Sequence, residues 1–406
     1  MAGEPRVSII DREWKSAAPR VRHVKPFDFI RGIGVIGVIA GHALPKDTLS
    51  FSAMVDWFLV LSGFLITTLL LQEHRETGRV ALKKFYARRS LRLLPSLYVT
   101  LAMTVAIGVG LKVLGRNEIN HTLSGLAKEV VSAALYVHNL VFPTQNGLWL
   151  GQLWTLGLEE QFYLVVGALM LVALFKGWIK PLTWMIAIAI VVIAVVRAGI
   201  IPGLVSGPIV AICAQRPDSL MVGMLAALLS ARVADPIAPR TARRWSNIGM
   251  VAVVLSVLSV FASTTLAAKI GIHIPYLPKQ PYTRGHVFNS KAYLSQWYWF
   301  KWGSTLASIT MGITTFCIFR LPDFPLNKWL TNRRLVYVGG VLSYALYLVH
   351  TPVQYLIEQT VGGHLPGVAD FALKMILPFA VAIPMATVVE KKAMEIKNRF
   401  SVTSTH

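Results

Sequence analysis

The sequence predicts an all-α polytopic membrane protein of about ten transmembrane helices, and three observations lead there. The first is composition. Of 406 residues, 54% are hydrophobic and 15% charged, and the mean hydropathy is +0.57, which leaves a soluble domain of this size too few polar residues to cover its surface. The second is the recurrence of apolar runs long enough to cross a bilayer. The third is the placement of charge. The formal net charge is +21, yet the basic residues sit between apolar runs and form no continuous patch, which fits cytoplasmic loops and argues against nucleic acid as a partner.

Runs of spanning length lie at 27–44, 50–71, 91–112, 150–175, 181–200, 206–230, 247–268, 303–320, 336–356 and 370–389. The stretch 127–142 is shorter, contains His138 and Asn139, and leads into a turn with Pro143 and Gly147; it is expected to lie at the interface or to re-enter the membrane. Arg6, Arg12, Lys15, Arg20, Arg22 and Lys25 precede the first run. That charged stretch of about thirty residues is too long for the n-region of a cleaved signal peptide, so the first helix is expected to be retained. With a cytoplasmic N-terminus and ten crossings, most of the 40 Lys and Arg fall in 1–31, 72–92, 176–180, 231–246, 320–334 and 391–406, which puts both termini in the cytoplasm. The loop 269–302 is the exception, but long loops weigh less in this rule. The expected organisation is a basic segment (1–26), a membrane domain (27–390) and a short tail (391–406), with no internal repeat or appended soluble domain. Cys213 and Cys317 lie in apolar surroundings without metal-ligand or disulfide spacing, and are read as packing residues.

Ionisable groups inside such runs cost about 2.5–3.5 kcal/mol each on insertion scales, so those that persist point to function. The first run reads F-D-F-I-R-G-I-G-V-I-G-V-I-A-G-H-A from Phe27. Arg31 and His42 are eleven residues apart, near three helical turns, and share a stripe about 16 Å long. Gly34, Gly37 and Gly41 lie along or near it and permit close approach of a helix or ligand. The competing reading has Arg31 snorkelling at the inner end and His42 hydrogen-bonded in the core. In the second run Asp56 can hold a histidine tautomer or cap the helix, while Ser62 and Gly63 suit small-residue packing. Arg88 and Arg92 are i, i+4 with Arg89 beside them, a fork suited to phosphates, or else to anionic lipid and the positive-inside pattern.

The fourth run opens W-T-L-G-L-E-E-Q-F-Y from Trp154. Glu159 and Tyr163 fall on one face, and an aromatic belt explains Trp154 and Tyr163 but not Glu159 and Glu160. Arg216-Pro217-Asp218 precedes an apolar helix with Gly223, as an ion pair or a cap. Ser343, Tyr347 and His350 recur at three- to four-residue spacing on one face, and Glu390 closes the last run.

In this order the residues resemble the acyltransferase-3 family of membrane acyltransferases. The resemblance is carried by R-x10-H (Arg31, His42), D-x-F-x-x-x-S-G-F-L (from Asp56), R-R-x-x-R-x-x-P (Arg88 to Pro95), W-x-L-x-x-E-E-x-F-Y (Trp154 to Tyr163), R-x-D-x-L-x-x-G (Arg216 to Gly223) and S-Y-x-x-Y-L-x-H-x-P (Ser343 to Pro352), spanning about 24 to 392. Two positions depart from the family pattern: Leu59 replaces a common aromatic, and Glu390 is followed by Lys-Lys-Ala instead of a proline-bearing end. The hydrolase domain appended in some relatives is not seen, so the membrane domain is expected to handle the acceptor.

The resemblance implies O-acylation of a glycan, lipid or macrolide-like hydroxyl, with acyl-CoA, acetyl-CoA foremost, as co-substrate and no permanently bound cofactor or metal. Acyl transfer from a thioester needs a base, oxyanion donors and a grip on the carrier. His42 is the candidate base, because neutral imidazole is available near pH 7, with Glu159 or Asp56 to orient it and Arg31 on the same stripe. Arg88, Arg89 and Arg92 are expected to hold the CoA phosphates. Trp154, Tyr163, Arg216, Asp218, Tyr347 and His350 are expected to bind substrate or support the site. Direct transfer and an acyl-histidine route both stay open. The competing classes are a transporter or flippase, which also buries polar groups in a multi-span bundle, and a membrane scaffold.

Overall fold

The computed structural model describes residues 23–44, 51–115, 123–142, 149–198, 212–233, 235–264, 302–362 and 364–395. The basic positions 6–22, the turn 143–147, nearly all of the loop 269–302 and the tail beyond 395 lie outside them. Among the described residues every regular element is helical. In chain order these are α1 (Lys25–Ala43), α2 (Ser52–Thr77), α3 (Leu82–Val113), α4 (Leu123–Ala134) and the short α5 (His138–Val141). A single 3-10 turn, Gly151–Leu153, leads into α6 (Trp154–Lys176), followed by α7 (Ile179–Ala198), α8 (Pro217–Arg232), α9 (Pro239–Ala262) and α10 (Ser304–Arg320). The short α11 (Pro325–Trp329) and α12 (Arg333–Tyr337) precede α13 (Ser343–Thr360) and α14 (Gly367–Pro384). Two π-helical segments, Val338–Leu342 and Met385–Glu390, lead into α13 and prolong α14.

Among the described residues, 7 helices are long and apolar enough to cross a membrane. They are built on α2, α3, α6, α7, α9, α13 and α14, and match seven of the ten expected runs. The described parts of the other three runs are mostly helical but fall outside that set for simple reasons. α1 carries Lys25, Asp28 and Arg31 in its first half, whereas α8 and α10 have only 16 and 17 residues. Among the described residues, seven of the ten expected crossings are thus matched by length and composition. The segment 127–142 becomes α4 and α5, 12 and 4 residues long, too short to cross.

Local sequence explains the ends. Gly78 sits at φ +68 and returns its N–H to the His74 carbonyl at 2.7 Å, closing α2 with a left-handed cap that a glycine adopts without steric cost. Arg216, at φ +60, turns the chain into α8 just before Pro217 at the first helical position. Pro95, Pro352 and Pro378 lie inside helices, which membrane helices tolerate when neighbours take up the freed backbone groups. Large apolar side chains such as Val113, Phe175 and Val368 stand fully out from the fold, a surface that suits lipid and not water.

The helices form two compact units, one of Met1–Phe27, Asp47–Val80 and Phe162–Asn332, the other of Asp28–Lys46, Ala81–Gln161 and Arg333–His406. In the first, α2 is the central helix: 67% of its apolar window is buried, against 17% for α9 at the rim. α2 and α8 touch through their main chains, because a Cβ on Gly63 would strike the Leu220 carbonyl and one on Gly223 the Val60 carbonyl. The small-residue packing read for Gly63 is what the helix pair uses. In the second unit, α1 meets α12 and the π segment equally closely, since a Cβ on Gly32 would strike the Leu335 carbonyl and one on Gly339 the Asp28 carbonyl.

Candidate active site

In the second unit the close seam at Gly32 and Gly339 lays α1 along the chain entering α13. Gln354 fixes it further, donating from Nε2 to the Ile39 carbonyl of α1 at 3.1 Å and to the Lys374 carbonyl of α14 at 3.2 Å. The result brings two predicted residues together. The rings of His42 and His350 meet edge to face, 5.2 Å between centroids and 69° between planes. His42 keeps an exposed surface, whereas His350 is completely buried.

The tautomer of His350 follows from its partners. Nδ1 lies 2.8 Å from the Tyr347 carbonyl and 3.2 Å from that of Leu346. Carbonyl oxygens only accept, so Nδ1 carries the proton and Nε2 the lone pair. That Nε2 is buried and has no hydrogen-bond partner.

Tyr347 stands beside His350, ring centroids 5.6 Å apart. Its hydroxyl donates to the Gln152 carbonyl at 2.6 Å and lies 2.6 Å from Thr155 Oγ1, while Gln152 Nε2 donates to the Leu348 carbonyl at 2.9 Å. These bonds tie the start of α6, with Trp154, to α13. The two carboxylates that open α6 meet α3: Arg89 Nε donates to Glu160 Oε1 at 2.6 Å, and its Nη2 is 3.6 Å from Glu159 Oε2. Arg88 and Arg92 are exposed on the same helix. Of the arginine fork, Arg89 is thus held by acids, and Glu159 faces an arginine. The described ring contact of His42 is with His350. Arg31 lies half-buried on α1, eleven residues before His42.

Asp56, Arg216, Asp218 and Tyr163 belong to the first unit. Arg216 Nη1 donates to Asp56 Oδ2 at 2.8 Å and to the Ser52 carbonyl at 3.1 Å, and Ser219 Oγ donates to Asp56 Oδ1 at 3.1 Å. Asp218 takes Nη1 and Nη2 of Arg197 at 2.6 and 2.9 Å and the hydroxyl of Thr305 at 2.6 Å. Two acids and two arginines thereby share a buried, charge-balanced cluster that closes α2, α7, α8 and α10 on one another. Tyr163 is fully buried. Asp56 has its partners here. Arg197 was not singled out from sequence; an arginine ending the apolar run 181–200 was the available signal.

One further cluster surrounds α4. Glu129 accepts the Leu150 N–H at 3.0 Å, and burial pushes its carboxyl up to about 7. Burial likewise brings His138 down to about 4. Ser132 Oγ is 3.0 Å from His138 Nδ1, which resembles a nucleophile and its base. The serine proton is already donated to the Glu129 carbonyl at 2.9 Å, so His138 is the donor in that contact and the pair braces α4 instead of activating an oxygen. Among the described residues no group of three or more His, Cys, Asp or Glu is placed to hold a metal ion.

The second unit thus holds a histidine pair and an arginine braced by two acids, in a fold with seven candidate membrane spans among the described residues. The chain belongs to the acyltransferase-3 family, whose model, described as an acyltransferase domain, matches residues 25–389. The family is one of acyltransferase domains, which favours acyl transfer over the transporter and scaffold readings. The chain is 26% identical over 375 residues to the peptidoglycan O-acetyltransferase OatA of Listeria monocytogenes, covering 89% of this chain and 54% of that protein. It is 31% identical over 153 residues to the O-acetyltransferase OatA of Staphylococcus aureus, 36% of this chain and 24% of that one. The chain therefore spans about half the length, or less, of these curated relatives. No solved structure matches it.

Proposed function

We propose that the protein transfers an acetyl group from acetyl-CoA to a hydroxyl of a cell-envelope glycan, with His42 as general base. The observation that carries this reading is His42 itself: an imidazole on a membrane helix, open on one side and backed by a second histidine. The names of the relatives, one of them a peptidoglycan O-acetyltransferase, support acetyl as the group and a glycan as the acceptor.

His42 takes the proton of the acceptor hydroxyl as its oxygen bonds to the thioester carbonyl carbon. The tetrahedral intermediate then expels the thiolate of CoA, which recovers the proton from His42, so the base is regenerated. Exposed Arg88 and Arg92 grip the donor's phosphates, and Arg89, held by Glu159 and Glu160, fixes the geometry of the fork. Arg31 adds positive charge on the helix that bears the base. Trp154 and Tyr347 support the site through the joint between α6 and α13, while Asp56, Tyr163, Arg216 and Asp218 hold the first unit in shape. With 1–26 and 391–406 in the cytoplasm and 27–390 as the acyltransferase domain, CoA binds on the cytoplasmic side and the acceptor comes from outside.

His42→Ala, reconstituted in vesicles with labelled acetyl-CoA and chitin oligosaccharides, should lose at least about 100-fold in transfer. Turnover retained by a folded, monodisperse variant would refute the assignment.

A further inference from the structure

We infer that His350 is the positioning residue of His42, its buried Nε2 accepting the N–H on the far nitrogen of the base while the near nitrogen takes the substrate proton. The inference rests on the reading of His42 as base, and adds what orients it. Sequence alone offered Glu159 or Asp56 for that task, and both have arginine partners.

Three observations carry it. The ring of His350 is fixed, because Nδ1–H is donated back to the Tyr347 and Leu346 carbonyls of its own helix. That bond turns Nε2 away from α13, and Nε2 is a buried acceptor without a partner, a state that costs free energy unless a donor arrives. The neighbouring ring is His42, in edge-to-face contact at 5.2 Å. Catalytic hydrogen bonds are often long in ligand-free enzymes and close in the reacting complex. A small rotation of His42, the exposed member of the pair, brings its N–H onto Nε2.

The chemistry assigns each proton. Neutral His42 has one N–H and one lone pair. With the N–H given to His350, the lone pair faces the acceptor hydroxyl. On taking that proton His42 becomes an imidazolium, and its bond to His350 becomes charge-assisted and stronger. His350 changes neither tautomer nor charge, and when the thiolate recovers the proton both rings return to their starting state. A histidine thus does here, without charge, what a carboxylate does in a Ser-His-Asp triad.

His350→Asn keeps an amide N–H where Nδ1 donates to the helix carbonyls but removes the distal acceptor. His350→Gln places an amide oxygen near the position of Nε2. In the full chain, kcat for acetyl transfer should fall about 10- to 100-fold in His350→Asn, with KM for acetyl-CoA changed less than threefold, and His350→Gln should recover at least a tenfold share. Carbethoxylation of His42 by diethylpyrocarbonate, followed by mass spectrometry, should slow several-fold in His350→Asn and less in His350→Gln, without need of substrate. Equal losses in both variants, or a change confined to KM, would overturn the inference. If His42→Ala keeps turnover, the base assignment itself fails; if it is inactive while the two His350 variants behave alike, only the positioning role does.

Discussion

Replacing Asp218 with Asn removes one negative charge from a cluster that water does not reach. Asp218 and Asp56 are fully buried, and Arg197 and Arg216 are 6% and 3% exposed. The carboxylate receives two guanidinium N–H groups and the Thr305 hydroxyl. In Asp218→Asn the amide NH2 turns a donor toward a donor, and the Arg197 charge is left uncompensated. Two charge-assisted bonds at about 1.5–3 kcal/mol each give roughly 3–6 kcal/mol, and breaking a buried ion pair from one side costs about 3–5 kcal/mol. The expected destabilisation is about 4 kcal/mol, near a thousandfold in the folding equilibrium. Replacing both partners, Arg197→Met with Asp218→Leu, removes both charges and should cost at least about 2 kcal/mol less than the single change. Unfolding in mixed detergent micelles, followed by tryptophan fluorescence, measures both. If Asp218→Asn lies within about 1 kcal/mol of wild type, or the double variant is no better than the single one, the cluster does not hold the first unit together.

Gly223→Ala should destabilise by about 1–3 kcal/mol, because its Cβ meets main chain and not a movable side chain; the same micelle assay reads it, and a neutral result would mean that α2 and α8 can separate freely. Glu129 gives a pH test. Its folded value, about 7, lies above the ordinary 4.5, so the fold favours the protonated form. Stability is full below about pH 4.5 and falls as pH rises towards 7, by roughly 3 kcal/mol. Glu129→Gln should therefore flatten that slope, gaining thermal stability relative to wild type at pH 8 but not at pH 4. Parallel melting curves for the two proteins across this range would contradict it.

The spans were legible because hydrophobic length is a property of single segments. The runs at 50–71, 181–200 and 370–389 each became a long apolar helix within a few residues. Partners were not, since periodicity shows which face a residue occupies and not which helix meets it. Asp56 finds Arg216 across 160 positions and Arg89 finds Glu160 across 71; neither distance leaves a trace in local pattern. The stripe of Arg31 and His42 was readable, and so was the face bearing Tyr347 and His350, but their meeting depends on Gly32, which lay outside the glycines noticed on that stripe. Arg197 was hidden by the apolar run that carries it.

The seam at Gly32 and Gly339 has one more effect. Side-chain packing between membrane helices loosens or tightens as a bilayer thins, thickens or changes its sterol content, and lipid-facing residues drift with it. Here main chain rests on main chain, so the spacing of the two elements that carry the imidazoles is set by backbone contact and not by side chains that lipid can reach. The histidine pair proposed as the reaction centre is in effect mechanically insulated from its solvent. Transfer rates that hardly vary between short- and long-chain lipid vesicles are the outward sign of such a joint.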